Sequence, residues 1–552
     1  MRIFLLWLVT LFSVASQAAT ITQEEAKAKA ERLLGKKMMA VQMACARANH
    51  VQESPTYYLF NAEDGQGFVI TAADEGMGDV LGYSQTSSIP VGGKMPCGLE
   101  FFLNIYDQVV VSLREQGETF ASQVNSTTNE DGAFLYTAEW GQDAPYNNMC
   151  PVVDGKHCVT GCVATGMAEI LHFWKWPLKS EGYGWATIGS GAPFGSSLEH
   201  EYNWEAMKNT TPENLASTES WQTLSQLLYD CGLSVNMVYG TGGSGSSMSS
   251  AMKAFYSNFG YNPNTLRIYH KDCFTDEEWF SIIKNEIDAG RPVCESAQTY
   301  DEKNDAYEGH FFVVDGYDLN GMLHVNWGWD GSSNAYYSPL LMNPSTFKFN
   351  ISNILLAGII PAKNGETGTP TEYMTMKYAP EISVSGENLR SIAFSVSAGG
   401  FMNINANDYR WQVTVGLFNT NNEMIADLKT GRVLTSVELS AGYYTNSMYN
   451  VACKLSGNYP DGDYALRIVF REYGTQDWLL PDTYGGKNKN AIYVKIQGNT
   501  YTVTDGSNYL TGVSTVSTTT ASPQHTIYDL YGRKVNNLRK GIFVKDGKKV
   551  IY

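Results

Sequence analysis

The stretch Gly161-Cys162-Val163-Ala164-Thr165-Gly166-Met167-Ala168-Glu169-Ile170-Leu171 leaves little freedom to the fold around it. Val163, Met167, Ile170, Leu171 and Trp174 recur at the spacing of one helix face, not of a strand. Cys162 therefore opens a buried helix. Backbone N–H groups without intrahelical partners meet the positive end of the helix dipole there, and both favour a thiolate over a thiol. A cysteine so placed is a candidate nucleophile. The competing readings are an inert core cysteine, a disulfide partner of Cys150 or Cys158, or a zinc ligand together with His157. The Cys150, His157 and Cys158 spacing lacks the regular pairing of a structural zinc site, so neither a metal nor a cofactor is expected.

A second chemical segment lies about 150 residues on. Gly309-His310-Phe311-Phe312-Val313-Val314-Asp315-Gly316-Tyr317 and Met322-Leu323-His324-Val325-Asn326-Trp327-Gly328-Trp329 are apolar strands flanking Asp318-Leu319-Asn320-Gly321. An Asn-Gly turn between such runs predicts a hairpin, which sets Asn326, Trp327 and Trp329 beside His310. Between the two segments, helices are predicted over 224–235 and 246–259. They flank Tyr239-Gly240-Thr241-Gly242-Gly243-Ser244-Gly245, which lacks the Gly-Lys-Ser/Thr ending of a phosphate loop. It reads as a flexible cleft wall or a plain surface loop, with Tyr239, Gly240 and Gly243 as candidate substrate contacts beside Trp329.

The remainder of the 552 residues divides by composition. Met1-Arg2, an apolar run to Val14 and Ala15-Ser16-Gln17-Ala18 have the three regions of a signal peptide, assigned to 1–18. No later run reaches the roughly 18 apolar residues of a membrane span. Thirty-nine Lys+Arg against 56 Asp+Glu give a net charge of −17, which excludes a nucleic-acid or anionic-membrane footprint. Nine cysteines, an odd number at irregular spacing, do not form a disulfide framework. Residues 19–132 form a first unit, with helices over 20–37 and 101–115 and a hairpin of 57–61 with 67–71. It ends in the polar run 122–132, an exposed linker. Residues 133–362 hold the chemical candidates. Residues 363–500 carry short alternating strands around 391–396, 411–418, 464–470 and 491–496, a β-sandwich read as separable at 362–370. A Ser/Thr-rich linker, 501–522, leads to a basic β unit, 523–552.

Gly161-Cys162-Val163-Ala164-Thr165, Trp140-Gly141-Gln142 with Pro145-Tyr146-Asn147, the His310 segment and Val325-Asn326-Trp327-Gly328-Trp329 follow in an order that resembles the streptopain family of papain-like cysteine peptidases. The first unit resembles that family's propeptide, through Tyr57-Tyr58-Leu59-Phe60-Asn61, Gly67-Phe68-Val69-Ile70 and Leu81-Gly82-Tyr83. The last unit is similar to a type IX secretion sorting domain, through Asp529-Leu530-Tyr531-Gly532-Arg533-Lys534-Val535 and Lys540-Gly541-Ile542-Phe543-Val544. The resemblance implies an α+β fold: a papain-like two-part catalytic domain, an α+β propeptide and C-terminal all-β domains.

It also implies a secreted endopeptidase zymogen acting on proteins or peptides, held by its own propeptide and exported through the periplasm by the type IX machinery. Cys162 attacks the scissile carbonyl, His310 shuttles the proton, and Gln142 with the Cys162 N–H forms the oxyanion hole. Asn326 matches the papain-type orienting residue, whereas Trp327 holds that place in streptopain-like enzymes and is preferred here. His157, His172, His270 and His324 are the other histidines considered, with His324 read as a satisfied core residue. A transglutaminase-like Cys-His acyltransferase is the rival enzyme, and a surface adhesin the rival outside enzymes.

Overall fold

The computed structural model describes residues 20–41, 55–75, 77–92, 95–116, 132–207, 218–301, 306–339, 351–363, 374–431, 435–481, 490–510, 527–528, 542–545 and 548–551. The expected signal peptide, the linker over 117–131, the boundary segment 364–373, most of the Ser/Thr-rich linker and the motif 529–535 lie outside the described residues. The architecture is mixed α+β, with a largely β C-terminal part.

The first unit opens on α1 (Gln23–Leu34), started by Thr22, whose hydroxyl accepts the Glu25 N–H while the Glu25 carboxylate accepts the Thr22 N–H. Strands Met38–Ala40, Tyr57–Ala62, Phe68–Ala72 and Val80–Ser84 follow as neighbours in one antiparallel sheet, with Asn61 opposite Phe68 in the expected hairpin. The last of them does not end the sheet. Gly82 and Tyr83 pair with Tyr337 and Tyr336 of the strand Ala335–Tyr337, so the first unit and the catalytic region share one 11-stranded sheet. The sheet continues through Leu323–Asn326, Ala306–Tyr317, Val293–Asp301, Ile351–Ala357 and Arg267–His270, with Ala133–Phe134 paired to the Ala306–Tyr317 strand.

Period-two alternation along Ala306–Tyr317 divides the interior into two cores. Phe311 and Val313 face α3 (Cys162–Trp174), α4 (Thr218–Ser234) and α5 (Met248–Ser257). Phe312 and Val314 face α2 (Cys97–Gln116), from the first unit, and α6 (Asp276–Asp288). The sequence shows one apolar face on α3, yet every residue from Val163 to Leu171 is buried. Ala164, Thr165, Gly166 and Ala168 make this possible, because small side chains on the other faces let neighbouring elements close in.

The C-terminal sandwich buries Trp411, Val413, Leu466 and Phe470 between its sheets. Its strands Phe394–Gly399, Tyr409–Phe418, Gly462–Glu472 and Ile492–Gln497 overlap the alternating segments, the first beginning three residues later than expected, and Thr500–Thr504, inside the expected linker 501–522, is corrected to a further strand of its sheet because its main chain pairs with Ile492–Gln497. It is not a loosely tethered module. Met402 and Ile404 are fully buried in the core that holds α2 and α6, and Ala406 is buried in the core around α3. The Ile268 N–H donates to the Ile404 carbonyl at 3.1 Å, extending hydrogen bonding beyond the edge strand Arg267–His270. His270 Nε2–H donates to the Gly442 carbonyl at 2.8 Å, and Lys377 pairs with Asp272. The final described strands, Ile527–Tyr528, Ile542–Lys545 and Lys548–Ile551, form a small antiparallel sheet of their own.

Because Ile404 completes a core belonging to the catalytic region, Ile404→Ala should cost about 2–5 kcal/mol of unfolding free energy. The loss should appear in the unfolding of the catalytic region, followed by tryptophan fluorescence in urea. An unchanged midpoint there would mean that the sandwich is energetically independent.

Candidate active site

The nucleophile end is shaped by its backbone. Gly161, directly before α3, sits at φ +88°, and a Cβ there would meet the Ser244 carbonyl oxygen at 2.8 Å, so only glycine suits the position. The Gly161 carbonyl accepts the Thr165 N–H at 3.0 Å, starting the helix with Cys162 as its first residue. Cys162 is half-buried, and no hydrogen bond among the described residues engages its thiol. Two residues earlier, the Thr160 N–H donates to the Gln142 carbonyl at 3.1 Å, fixing the Trp140-Gly141-Gln142 segment beside the nucleophile. The Gln142 side-chain Nε2 is buried and has no hydrogen-bond partner, a spare donor of the kind a developing oxyanion would use.

His310 lies on the strand Ala306–Tyr317 with the parity of Phe312 and Val314, on the face that α2 covers. Its Nε2 is 3.1 Å from the Trp327 carbonyl oxygen, which only accepts, so Nε2 carries the proton. Nδ1 is then the acceptor in a neutral ring, and it lies 3.3 Å from the Cys97 thiol at the start of α2. Both ring nitrogens are thus engaged away from Cys162. A Cβ on Gly98 would fall 2.2 Å from His310 Cδ2 and 2.5 Å from the Trp327 ring, so α2 begins in direct contact with both.

The side chain of Asn326 does not touch His310. Its amide donates to the Ala138 carbonyl at 2.6 Å and to Thr137 Oγ1, while its oxygen accepts from the Gly328 N–H and the Asn334 amide. Trp327 is the neighbour of the histidine, with ring centroids 6.0 Å apart, and its contact is a main-chain carbonyl as well as an indole. The expected hairpin is present, with Val313 opposite Asn326 and Gly316 opposite His324 across a bulge, but its second strand ends at Asn326. The chain turns there, which brings the Trp327 carbonyl to the imidazole.

Trp329 is partly buried against the core that contains Trp327. Gly240 accepts the Val159 N–H at 3.1 Å, and Ser244 Oγ donates to the Val159 carbonyl, lacing the loop of Gly240 and Gly243 to the approach of Cys162. Tyr239, expected in the cleft wall, is corrected to a core residue: it is 1% exposed, with its ring against Phe194 and Tyr229. Strand alternation turns it inward while its neighbour Val238 is exposed. The other histidines have partners of their own: His157 with the Cys150 carbonyl, His172 with the Met207 carbonyl, His270 with Gly442 and His324 with Asp315.

Sequence reasoning passed over Cys97, Gly98 and Glu169. The criterion that singled out Cys162, a cysteine opening an apolar helix, applies equally to Cys97. What the sequence lacks is the long-range pairing that brings α2 to His310.

Residues 140–337 match the Peptidase C10 family, and residues 18–110 match the Spi protease inhibitor family. Thiol protease/hemagglutinin PrtT of Porphyromonas gingivalis is 26% identical over 497 residues, which cover 84% of this chain. The chain spans about half of that relative, 54% of its length. Streptopain of Streptococcus pyogenes is 29% identical over 313 residues, 52% of this chain and 75% of its own. A solved fragment of prointerpain A from Prevotella intermedia is 24% identical with a TM-score of 0.49, covering 58% of this chain and 99% of its own. Among the described residues no helix is long and apolar enough to cross a membrane.

Beneath the site, α3 presents Glu169 to the segments that carry Gln142 and Trp327. Burial drives its carboxyl well above the usual range, and the charges of Asp315 and Glu139 add to this. The nearby Trp140 N–H and Asn326 amide oppose the shift, but neither carboxyl oxygen meets a hydrogen bond of good geometry. Glu169 is therefore held as the neutral acid. A carboxyl with a raised folded pKa contributes its full stability below the unfolded value of about 4.5 and loses it as pH rises toward the folded value. Glu169→Gln should match the wild type at pH 4 and gain on it steadily toward pH 8 in urea midpoints. A constant difference across that range would show that the carboxyl does not change protonation on unfolding.

Proposed function

We propose that this chain, whose residues 140–337 form a cysteine-type peptidase domain of the C10 family behind an inhibitor-like prosegment, is a secreted endopeptidase made as a zymogen. The observation that carries the reading is the position of Cys162 at the start of a buried helix, with its thiol unengaged, beside the unpartnered Gln142 amide. Once α2 leaves, His310 Nδ1 is free to take the Cys162 proton, while the Trp327 carbonyl continues to hold Nε2–H. The thiolate then attacks the scissile carbonyl, and the developing oxyanion accepts hydrogen bonds from the Cys162 N–H and the Gln142 amide. The imidazolium protonates the leaving amine, and the neutral ring next activates the water that releases the acyl group. Trp327 is the orienting residue in this scheme and Asn326 a support for the turn that presents its carbonyl. Trp329 with the Gly240 and Gly243 loop walls the cleft.

We assign 1–18 as signal peptide, 19–132 as prosegment, 133–362 as peptidase, 363–510 as a sandwich of separate role, 511–522 as linker and 523–552 as a type IX sorting domain. The charged and apolar start of the chain and the resemblance of its last unit support export through the periplasm. Protein or peptide substrates and the chain's own prosegment are the partners. Covalent attachment gives the prosegment a high effective concentration at the site, and cutting the linker turns the block into one that dilution relieves.

Cys162→Ala precursor should stay at full length in a protease-free preparation and be trimmed near residues 122–132 only when active enzyme is added. Unaided maturation would sink the self-processing mechanism. Gln142→Ala should lower kcat on a peptide substrate by about 10²–10³-fold, with folding unchanged by circular dichroism. A loss below threefold would remove Gln142 from the oxyanion hole.

A further inference from the structure

The start of α2 does more than cover the site. We propose that Cys97 is a thiol latch: it takes the place of the nucleophile's thiol on His310 and holds the catalytic imidazole on the prosegment side. This rests on the zymogen reading above and assigns its inhibition to a particular side chain.

Two independent features of the structure converge on it. The first is chemical. Cys97 Sγ is 3.3 Å from His310 Nδ1, the nitrogen left as acceptor because the Trp327 carbonyl fixes the proton on Nε2. The ring therefore receives the Cys97 S–H at the atom that a Cys-His dyad would turn to its nucleophile. Cys97 is the first residue of a 20-residue helix, as Cys162 is the first of α3. Nδ1 is the base within reach of its thiol proton.

The second feature is steric. Gly98 lies against the edge of the His310 ring and the face of Trp327, where even a methyl group would sit 2.2 Å from Cδ2. The thiol can reach Nδ1 only because the next residue has no side chain. Phe102, one turn further along α2, packs on Phe312 at 5.7 Å and on Trp327 at 5.8 Å between ring centroids. Leu99 and Phe102 thus anchor α2 in the shared core, and Cys97 and Gly98 are its contact with the chemistry. Cys97 itself is exposed, so its replacement removes the latch without opening the core.

The test uses full-length precursor. In a Cys162→Ala background at pH 7, limiting iodoacetamide alkylates Cys97, the sulfur displacing iodide and its proton passing to His310. Quantified by peptide mass spectrometry, this labelling should be at least tenfold faster than in the same precursor carrying His310→Ala. Equal rates would overturn the thiol–imidazole pairing. With Cys162 intact, Cys97→Ala should shorten the lag before self-processing at least threefold. Thermal unfolding of that precursor and kcat/KM of the matured enzyme, from which the prosegment is gone, should both be unchanged. Gly98→Ala should shorten the lag as well, by pushing the helix start off the ring while leaving the thiol present. A wild-type lag in both variants would overturn the latch. A wild-type precursor that cleaves substrate at the mature rate before any processing would overturn the inhibitory reading itself, and the latch with it.

Discussion

Trp327 is the point on which the site and its covering both depend. Its N–H donates to the Asn334 side chain, its indole N–H donates to the Ser333 carbonyl at 3.2 Å, and its carbonyl holds His310. The ring is fully buried, with Phe312 at 5.2 Å and Tyr337 at 5.3 Å from the sheet and Phe102 at 5.8 Å from the prosegment. Bonded through Nε2–H to a carbonyl whose own residue is held at its main-chain and indole N–H, the imidazole keeps one tautomer, with Nδ1 as the acceptor, and a fixed tautomer is what general acid–base chemistry requires.

The same packing seats the first unit. Its strands extend the catalytic sheet through Gly82 and Tyr83, and α2 fills the face of the sheet that carries His310. Main-chain pairing and apolar burial supply the adhesion, so the few atoms at the catalytic centre need not supply it. Beside this pairing, the Tyr83 hydroxyl donates to the Asp318 carboxylate at 2.9 Å. The sandwich meets the body differently. It reaches both cores through Met402, Ile404 and Ala406.

Local chemistry was legible in the chain wherever a short-range signal carried it. The helix after Cys162 and the hairpin around Asn320-Gly321 follow from spacing and turn chemistry, because their defining hydrogen bonds join residues close in sequence, and the sandwich strands follow from the alternation of their own side chains although their partners lie far off in the chain. That Trp327 neighbours His310 was expected from the sequence, by resemblance. That the contact is a main-chain carbonyl, presented by a turn after the strand ends, was not, since any residue has a carbonyl and only the fold aims it.

Tertiary structure alone decided the rest. Tyr239 reads as a cleft residue until strand parity turns it into the core. The unit boundaries drawn from composition say nothing of a sheet that runs across one of them, or of Ile404 lying in a core whose other buried members, Met402 apart, come from between Leu59 and Ala357. Cys97 looks like any cysteine ahead of an apolar helix until Gly82 pairs with Tyr337 and sets α2 over His310. The amino-acid sequence by itself determined the elements and the chemical groups they carry, because those are fixed by neighbours within a few residues. Which group faces which was decided by pairings over hundreds of residues, where burial of the combined apolar surface selects the partner and leaves no periodic trace in either segment.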